Sequence, residues 1–127
     1  MSVSPSLEDY LETILSLQKR NQTVRVTDIA TEMSISKPSV NKAIKNLKQH
    51  ELVLHEHYGD ITLTEKGAEI AQSVTFRHMV VKKFLCELLQ VEENIAEAEA
   101  CKIEHSISAS TLQKLSEYLD KVIKAGE

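Results

Sequence analysis

The segment from Val26 to Leu63 constrains the fold most, because its apolar residues follow a helical repeat twice and then a strand pattern. The two helical stripes consist of Ile29, Ala30 and Met33 and, after a Ser-Ile-Ser turn, of Val40, Ile44 and Leu47. Residues 52–63 instead predict two short strands around a turn that contains Gly59. Two short helices joined by a tight turn and followed by a β-hairpin predict a winged helix-turn-helix.

The second of these helices has a basic polar side. No acidic residue occurs from Lys37 through His50, although the chain has a formal net charge of −4. Lysines on such a face would contact phosphates, and polar side chains in the N-terminal half would enter the major groove. A solvated lysine face is the alternative, but the acid-free stretch and the following hairpin favour DNA. The predicted DNA-binding residues are Thr27, Ser36, Lys37, Pro38, Ser39, Asn41, Lys42 and Lys45, with His57 and Tyr58 on the wing.

The composition limits the other fold and function classes. Three Gly and two Pro among 127 residues leave little room for a turn-rich β fold, so helix should dominate. The net negative charge argues against a protein that coats nucleic acid by bulk charge. No apolar run approaches the roughly 18 residues of a membrane span. Two distant cysteines without a signal peptide favour the cytoplasm, away from any membrane.

The rest of the chain is predicted to be helical. The later apolar stripes are Ile70, Val74, Val81, Leu85 and Leu88, and then, after Ser108, Leu112, Leu115, Leu119 and Val122. One small domain is not expected to bury all of these side chains, which favours a dimer. We therefore predict a mainly α fold with a winged helix-turn-helix DNA-binding domain at residues 1–64. An all-α dimerisation domain follows at residues 65–127, with a linking helix at about 65–89.

Cys101, Glu104 and His105 place a thiol, a carboxylate and an imidazole on one helical face. Each is a potential ligand for a divalent transition metal, and the thiol is the softest of the three. Glu97 falls on the same face, which is not the apolar side of this helix. Three ligands from one turn cannot complete a site, so further ligands must come from elsewhere in the chain.

Other candidate ligands are ambiguous when they are read alone. Ser6 is the expected cap of an N-terminal helix, with the acid Asp9 three residues later. Asp9 and Glu12 fall together opposite the apolar stripe of that helix, as a capping acid on a solvated face or as half of a metal site. His78 lies at the edge of an apolar stripe, where a core histidine is more common than a ligand.

Four pieces of the sequence, taken together, resemble the diphtheria toxin repressor family of metal-dependent regulators, and most closely its manganese-type members without a third domain. These pieces are Leu7–Glu12, Val26–Leu63, Arg77-His78 and Cys101-x-x-Glu104-His105. The resemblance implies a homodimer that binds a pseudo-palindromic operator in double-stranded DNA. It also overrides the simpler interpretations of Asp9 and His78. The metal ligands that it implies are Asp9, Glu12, His78, Cys101, Glu104 and His105.

Several positions depart from the family pattern. Manganese-type members typically have a carboxylate where this chain has Cys101, and iron-type members have Met where it has Asp9. We therefore expect Mn²⁺ or Fe²⁺ as the cofactor, with Co²⁺ or Zn²⁺ as possible surrogates. The ancillary site of iron-type members has an acid at the position of Lys82 and a His at that of Glu97. Glu97 is thus only a possible ancillary ligand, and a Lys82–Glu97 ion pair in place of that ion is our hypothesis.

These expectations combine into a metal-dependent transcriptional repressor of metal-homeostasis genes. Divalent metal bound between the two domains would favour the DNA-binding conformation of the dimer. The main alternative is a winged-helix regulator that senses thiol oxidation or a small molecule through Cys101. A metal-dependent hydrolase is a weaker alternative, because the sequence offers no obvious oxyanion stabiliser. We do not expect an enzyme.

Overall fold

The computed structural model describes residues 3–21, 23–56 and 59–126, and the chain divides into two units, Met1–Ser73 and Val74–Glu127. Its helices and strands confirm the predicted mainly α architecture with one β-hairpin after the helix-turn-helix. The elements are α1 (Pro5–Asn21), α2 (Val26–Met33), α3 (Lys37–Gln49), β1 (Val53–His55), β2 (Ile61–Leu63), α4 (Glu65–Lys83), a π-helical segment (Phe84–Leu88), α5 (Glu93–Ile103) and α6 (Ala109–Ala125). Within the described ranges, no helix is long and apolar enough to cross a membrane.

Helix α1 begins two residues earlier than the predicted cap implies. Ser4, and not Ser6, caps the helix, because its Oγ accepts a hydrogen bond from the backbone N–H of Leu7 at 3.2 Å. Pro5 occupies the first helical position, where its missing N–H costs nothing. Leu11 and Ile14 of α1 are fully buried in the core of the first unit.

Two serines form the turn of the helix-turn-helix, one at the end of α2 and one at the start of α3. Ser34 ends α2 in the left-handed region at φ 56°, which turns the chain sharply. Ser36 then caps α3, because its Oγ accepts a hydrogen bond from Ser39 N–H at 3.3 Å. Pro38 lies in the first turn of α3, where it is tolerated. The predicted stripe of α3 is confirmed, since Val40, Ile44 and Leu47 are all buried.

The hairpin is antiparallel, and its register pairs Val53 with Leu63 and His55 with Ile61. The backbone N–H of Ile61 also donates to Val24 O at 2.7 Å, which joins the hairpin to the segment before α2. Gly67, in the first turn of α4, lies against the backbone of Leu52, the residue before β1. A Cβ added at Gly67 would be only 2.0 Å from Leu52 O. The predicted wing contacts His57 and Tyr58 lie outside the described residues.

The second unit has two small hydrophobic clusters. One contains Val81, Leu85, Ala96 and Ala100, and the other contains Val80, Leu112 and Leu119. The buried side of α5 is made of alanines, whose short side chains let neighbouring elements pack closely against it. Of the predicted ligands in and directly after α5, Glu97 and Cys101 are exposed, whereas Glu104, four residues after Ala100, is fully buried on the packed side.

Candidate metal centre

Three potential metal ligands of different chemistry converge in the second unit. His78 projects from α4, and Glu97 and Cys101 lie one turn apart on α5. One donor atom from each of these three residues lies within 4.8 Å of the other two. The sulfur of Cys101 is 3.7 Å from Nδ1 of His78. An imidazole, a carboxylate and a thiol at this separation can bind one divalent ion.

The His78 imidazole is held between two carboxylates. Its Nδ1 is 2.9 Å from Oε2 of Glu104, and its Nε2 is 2.9 Å from Oε2 of Glu97. Ionised carboxylates only accept hydrogen bonds, so both ring nitrogens act as donors and the ring carries a positive charge. The hydrogen bond to Glu104 is the main cause that raises the pKa of His78 to about 9, against an opposing effect of burial. Glu97 raises this pKa further. A metal ion at His78 must displace a proton.

Glu104 is the buried anion of the centre, with a side chain that is 0% exposed. It follows the last residue of α5 but keeps helical angles of φ −57° and ψ −27°, so it stays one turn from Cys101 as predicted. Its Oε1 accepts no hydrogen bond among the described residues, although Nε2 of His105 lies 3.4 Å away. A buried carboxylate oxygen without a donor is costly. The centre therefore fits a bound cation.

The side chain of Glu97 is shared between two cations. Besides His78, it binds the ammonium group of Lys82, whose Nζ is 2.9 Å from Oε2 of Glu97. Burial raises the pKa of Glu97, but hydrogen bonds from His78 and Lys82 outweigh that effect and lower it overall. The predicted Lys82–Glu97 ion pair is thus confirmed. Lys82 also lies 3.6 Å from Oε1 of Glu93, a residue that the sequence analysis did not single out. The sequence signal for Glu93 is that it lies four residues before Glu97 and so on the same side of α5.

The remaining predicted ligands lie in the turn after α5 and on α1. His105 lies in the turn after α5 and is only 9% exposed. Nη1 of Arg77 donates to the backbone oxygen of Glu104 at 2.8 Å, which fixes that turn against α4. In the first unit, Asp9 and Glu12 are half-buried and lie one turn apart on α1.

The predicted DNA-binding side chains within the described residues are all exposed. Two of them also stabilise the start of α3, since the hydroxyls of Ser36 and Ser39 are hydrogen-bonded at 2.9 Å. Lys48, on the same helix, donates from Nζ to the backbone oxygen of His55 at 3.3 Å. The basic helix α3 is thereby linked to the hairpin. The exposed candidates are Thr27, Ser36, Lys37, Pro38, Ser39, Asn41, Lys42 and Lys45.

Proteins of similar sequence include HTH-type transcriptional regulators. An uncharacterised HTH-type transcriptional regulator of Methanocaldococcus jannaschii is 38% identical over 120 residues, which cover 94% of this chain and 96% of the relative. The HTH-type transcriptional regulator MntR of Geobacillus kaustophilus is 34% identical over 114 residues, which cover 90% of this chain and 80% of MntR.

Solved structures agree in fold. The manganese regulator SloR superposes with a TM-score of 0.82 at 31% identity, over 93% of this chain and 55% of SloR. A manganese-dependent transcriptional repressor in complex with manganese gives a TM-score of 0.83 at 27% identity, over 90% of this chain and 52% of its own. The chain thus spans about half the length of these two proteins.

Two family models cover nearly the whole chain. The iron-dependent repressor N-terminal DNA-binding domain matches residues 2–61. The iron-dependent repressor metal-binding and dimerisation domain matches residues 64–124. The family expected from the sequence is therefore confirmed, and the chain belongs to the iron-dependent repressor family of metal-dependent transcriptional repressors.

Proposed function

We propose that Mn²⁺ or Fe²⁺ binding to this chain favours the DNA-binding conformation of a homodimer and so represses metal-homeostasis genes. The observation that supports this most is the group of His78, Glu97 and Cys101 donor atoms within 4.8 Å of one another. Beside it lies the buried carboxylate of Glu104. Their mixed chemistry suits a transition-metal ion better than a structural ion pair.

The ligands of the primary ion are Asp9, Glu12, His78, Cys101, Glu104 and His105 in this proposal, with Glu97 as a possible ancillary ligand. The part of Asp9 and Glu12 rests on the sequence resemblance. A bound divalent ion supplies positive charge that offsets the clustered carboxylates. Ligands from both domains would tie the DNA-binding domain, with a boundary near residue 64, to the dimerisation domain. The ion shifts the conformational equilibrium only as far as it binds the DNA-competent form more tightly.

The identity of the metal depends on Cys101. Several structural neighbours are named as manganese regulators or manganese-activated repressors, and one of them, ScaR, has been solved with Zn²⁺ and with Cd²⁺. Carboxylate ligands suit Mn²⁺, whereas a thiolate favours softer ions such as Fe²⁺, Co²⁺ or Zn²⁺. Mn²⁺ or Fe²⁺ is therefore our proposed physiological ion, with Co²⁺ or Zn²⁺ as surrogates.

The DNA target in this proposal is a pseudo-palindrome, read by one α3 helix of each subunit. The lysine-rich face of α3 supplies phosphate contacts, and Ser39 and Asn41 lie in the half of the helix that enters the major groove. The dimer would bury apolar side chains that the second unit leaves exposed, such as Met79, which is 56% exposed, and Leu89, which is 57% exposed. As a regulator of chromosomal genes, the protein would act in the cytoplasm and not as an enzyme.

DNA binding by the full chain, measured with a chelator and separately with a reductant, tests this function. Loss of binding with the chelator alone supports metal control. Loss with the reductant alone contradicts it and supports thiol sensing at Cys101. Binding that is unaffected by either treatment contradicts both, and a small-molecule effector would then have to be sought.

A further inference from the structure

We infer that Lys82 is a built-in cation that occupies the Glu93–Glu97 side of the metal centre and limits it to one divalent ion per chain. This inference rests on the proposed metal site, because it concerns which ions the same group of carboxylates accepts. It concerns a departure of this chain, since an ammonium group stands where an acidic ligand would be needed for a second ion.

The ammonium group of Lys82 lies between the carboxylates of Glu93 and Glu97. Its Nζ is 2.9 Å from Oε2 of Glu97 and 3.6 Å from Oε1 of Glu93. The same Oε2 atom of Glu97 is 2.9 Å from Nε2 of His78 on its other side. The ammonium group therefore adjoins the cluster of candidate ligands and binds two carboxylates, as a second metal ion would.

The chemistry of lysine excludes a second ion at this place. At neutral pH its side chain is cationic, and it offers three donors and no acceptor, so it cannot ligate a metal ion. A divalent cation bound to Glu93 and Glu97 would also lie beside this fixed positive charge and be repelled by it. Because Lys82 pairs with Glu97, this carboxylate does not serve as an ancillary ligand in the wild type, and one ion remains for the ligands around His78 and Cys101.

The ion pair itself is not expected to hold the fold together. The side chain of Lys82 is 30% exposed and that of Glu93 is 83% exposed, and exposed ion pairs contribute little to stability. Lys82 lies in α4, where alanine is a good helix former. A Lys82→Ala variant should therefore fold and reveal the effect on metal binding alone.

The number of Mn²⁺ ions bound per chain, measured by equilibrium dialysis at saturating free Mn²⁺, tests the inference. We expect one ion for the wild type and two for Lys82→Ala. Lys82→Arg keeps the positive charge and should bind one. Lys83→Ala, which removes the neighbouring positive charge on the same helix, should also bind one.

A double variant identifies the carboxylates involved. Adding Glu93→Gln to Lys82→Ala should return the count from two ions to one. Two ions in the wild type, or one ion in both the wild type and Lys82→Ala, would overturn the role of Lys82 while leaving the metal-dependent function intact. No bound ion in any variant would overturn the proposed metal site and this inference with it.

Discussion

Cys101 is the residue on which the choice of metal turns. Its sulfur lies 3.7 Å from Nδ1 of His78, within a group whose other donors are nitrogen and oxygen. Replacing a thiolate with a carboxylate makes a site harder and so favours Mn²⁺ over later divalent ions.

The Cys101→Glu variant should therefore move the order of metal affinities towards Mn²⁺. Binding constants for Mn²⁺, Fe²⁺, Co²⁺ and Zn²⁺, compared between wild type and variant, measure the change. Cys86→Ala is the matched control, because it removes the other thiol of the chain and should leave the order unchanged. An unchanged order of metal affinities in Cys101→Glu would show that the Cys101 thiolate is not a ligand of the metal.

The protonation of His78 gives a second prediction at the scale of the residue. Its pKa is about 9 in the folded chain against 6.5 for the free group. A raised pKa in the folded state adds stability below pH 6.5, and this contribution is lost as pH rises towards 9. In the presence of a chelator, the free energy of unfolding should thus fall across this window.

Urea unfolding at a series of pH values measures that decline. The His78→Gln variant should lack this part of the pH dependence, because glutamine does not titrate. Equal slopes for the two proteins would mean that His78 is not charged between Glu97 and Glu104. Metal affinity should instead increase with pH over the same window, since metal and proton compete for the ring.

Gly67 lets α4 begin directly against the backbone of Leu52, the residue before β1. A Gly67→Ala side chain would place Cβ at 2.0 Å from the backbone oxygen of Leu52, which cannot move without disturbing the hairpin. We expect a loss of about 1–3 kcal/mol in the free energy of unfolding, as for other overpacked sites.

Chemical denaturation of Gly67→Ala and Gly126→Ala checks this value. At Gly126 the nearest atoms to an added Cβ are 3.6 Å away, so that substitution should be close to neutral. Equal stability of the two variants would show that α4 can shift away from Leu52 at no cost.

At the scale of the element, the sequence predicts those parts of the fold that have a distinct periodicity. The stripes of α2 and α3 and the hairpin are of this kind, since large apolar residues mark them clearly. The capping-box spacing predicts a cap at Ser6, whereas Pro5 allows the helix to start earlier and Ser4 caps it. Alanines on the packed side of α5 give little contrast with a polar helix, so the sequence does not show that Ala96 and Ala100 are its buried residues.

The metal centre was predictable to a similar degree. Spacing alone placed Glu97, Cys101 and Glu104 on one face, and the structure brings His78 of α4 to them. No periodic pattern in α4 points to that histidine, so only the family resemblance predicts it as a ligand. Glu93 lies four residues before Glu97, but its partner Lys82 is on a different helix, so spacing along α5 alone does not predict their ion pair.

At the scale of the whole molecule, the candidate DNA-binding residues and the candidate metal centre lie in different units. The first unit contains the basic helix α3 and its hairpin, and the second contains the His78, Glu97, Cys101 and Glu104 side chains. The family models assign DNA binding to the first part of the chain and metal binding and dimerisation to the second. Our central claim is that metal captured by the second unit controls the DNA affinity of the first.

The affinity of the full chain for its operator, titrated with and without Mn²⁺ at fixed salt concentration, tests this claim most directly. DNA from the region upstream of the protein's own gene is the first operator to try. We predict that Mn²⁺ or Fe²⁺ tightens binding by about 10-fold or more, in the range typical of allosteric coupling, and that a chelator reverses the effect. Equal affinity with no metal and with each of Mn²⁺, Fe²⁺, Co²⁺ and Zn²⁺ would contradict the account.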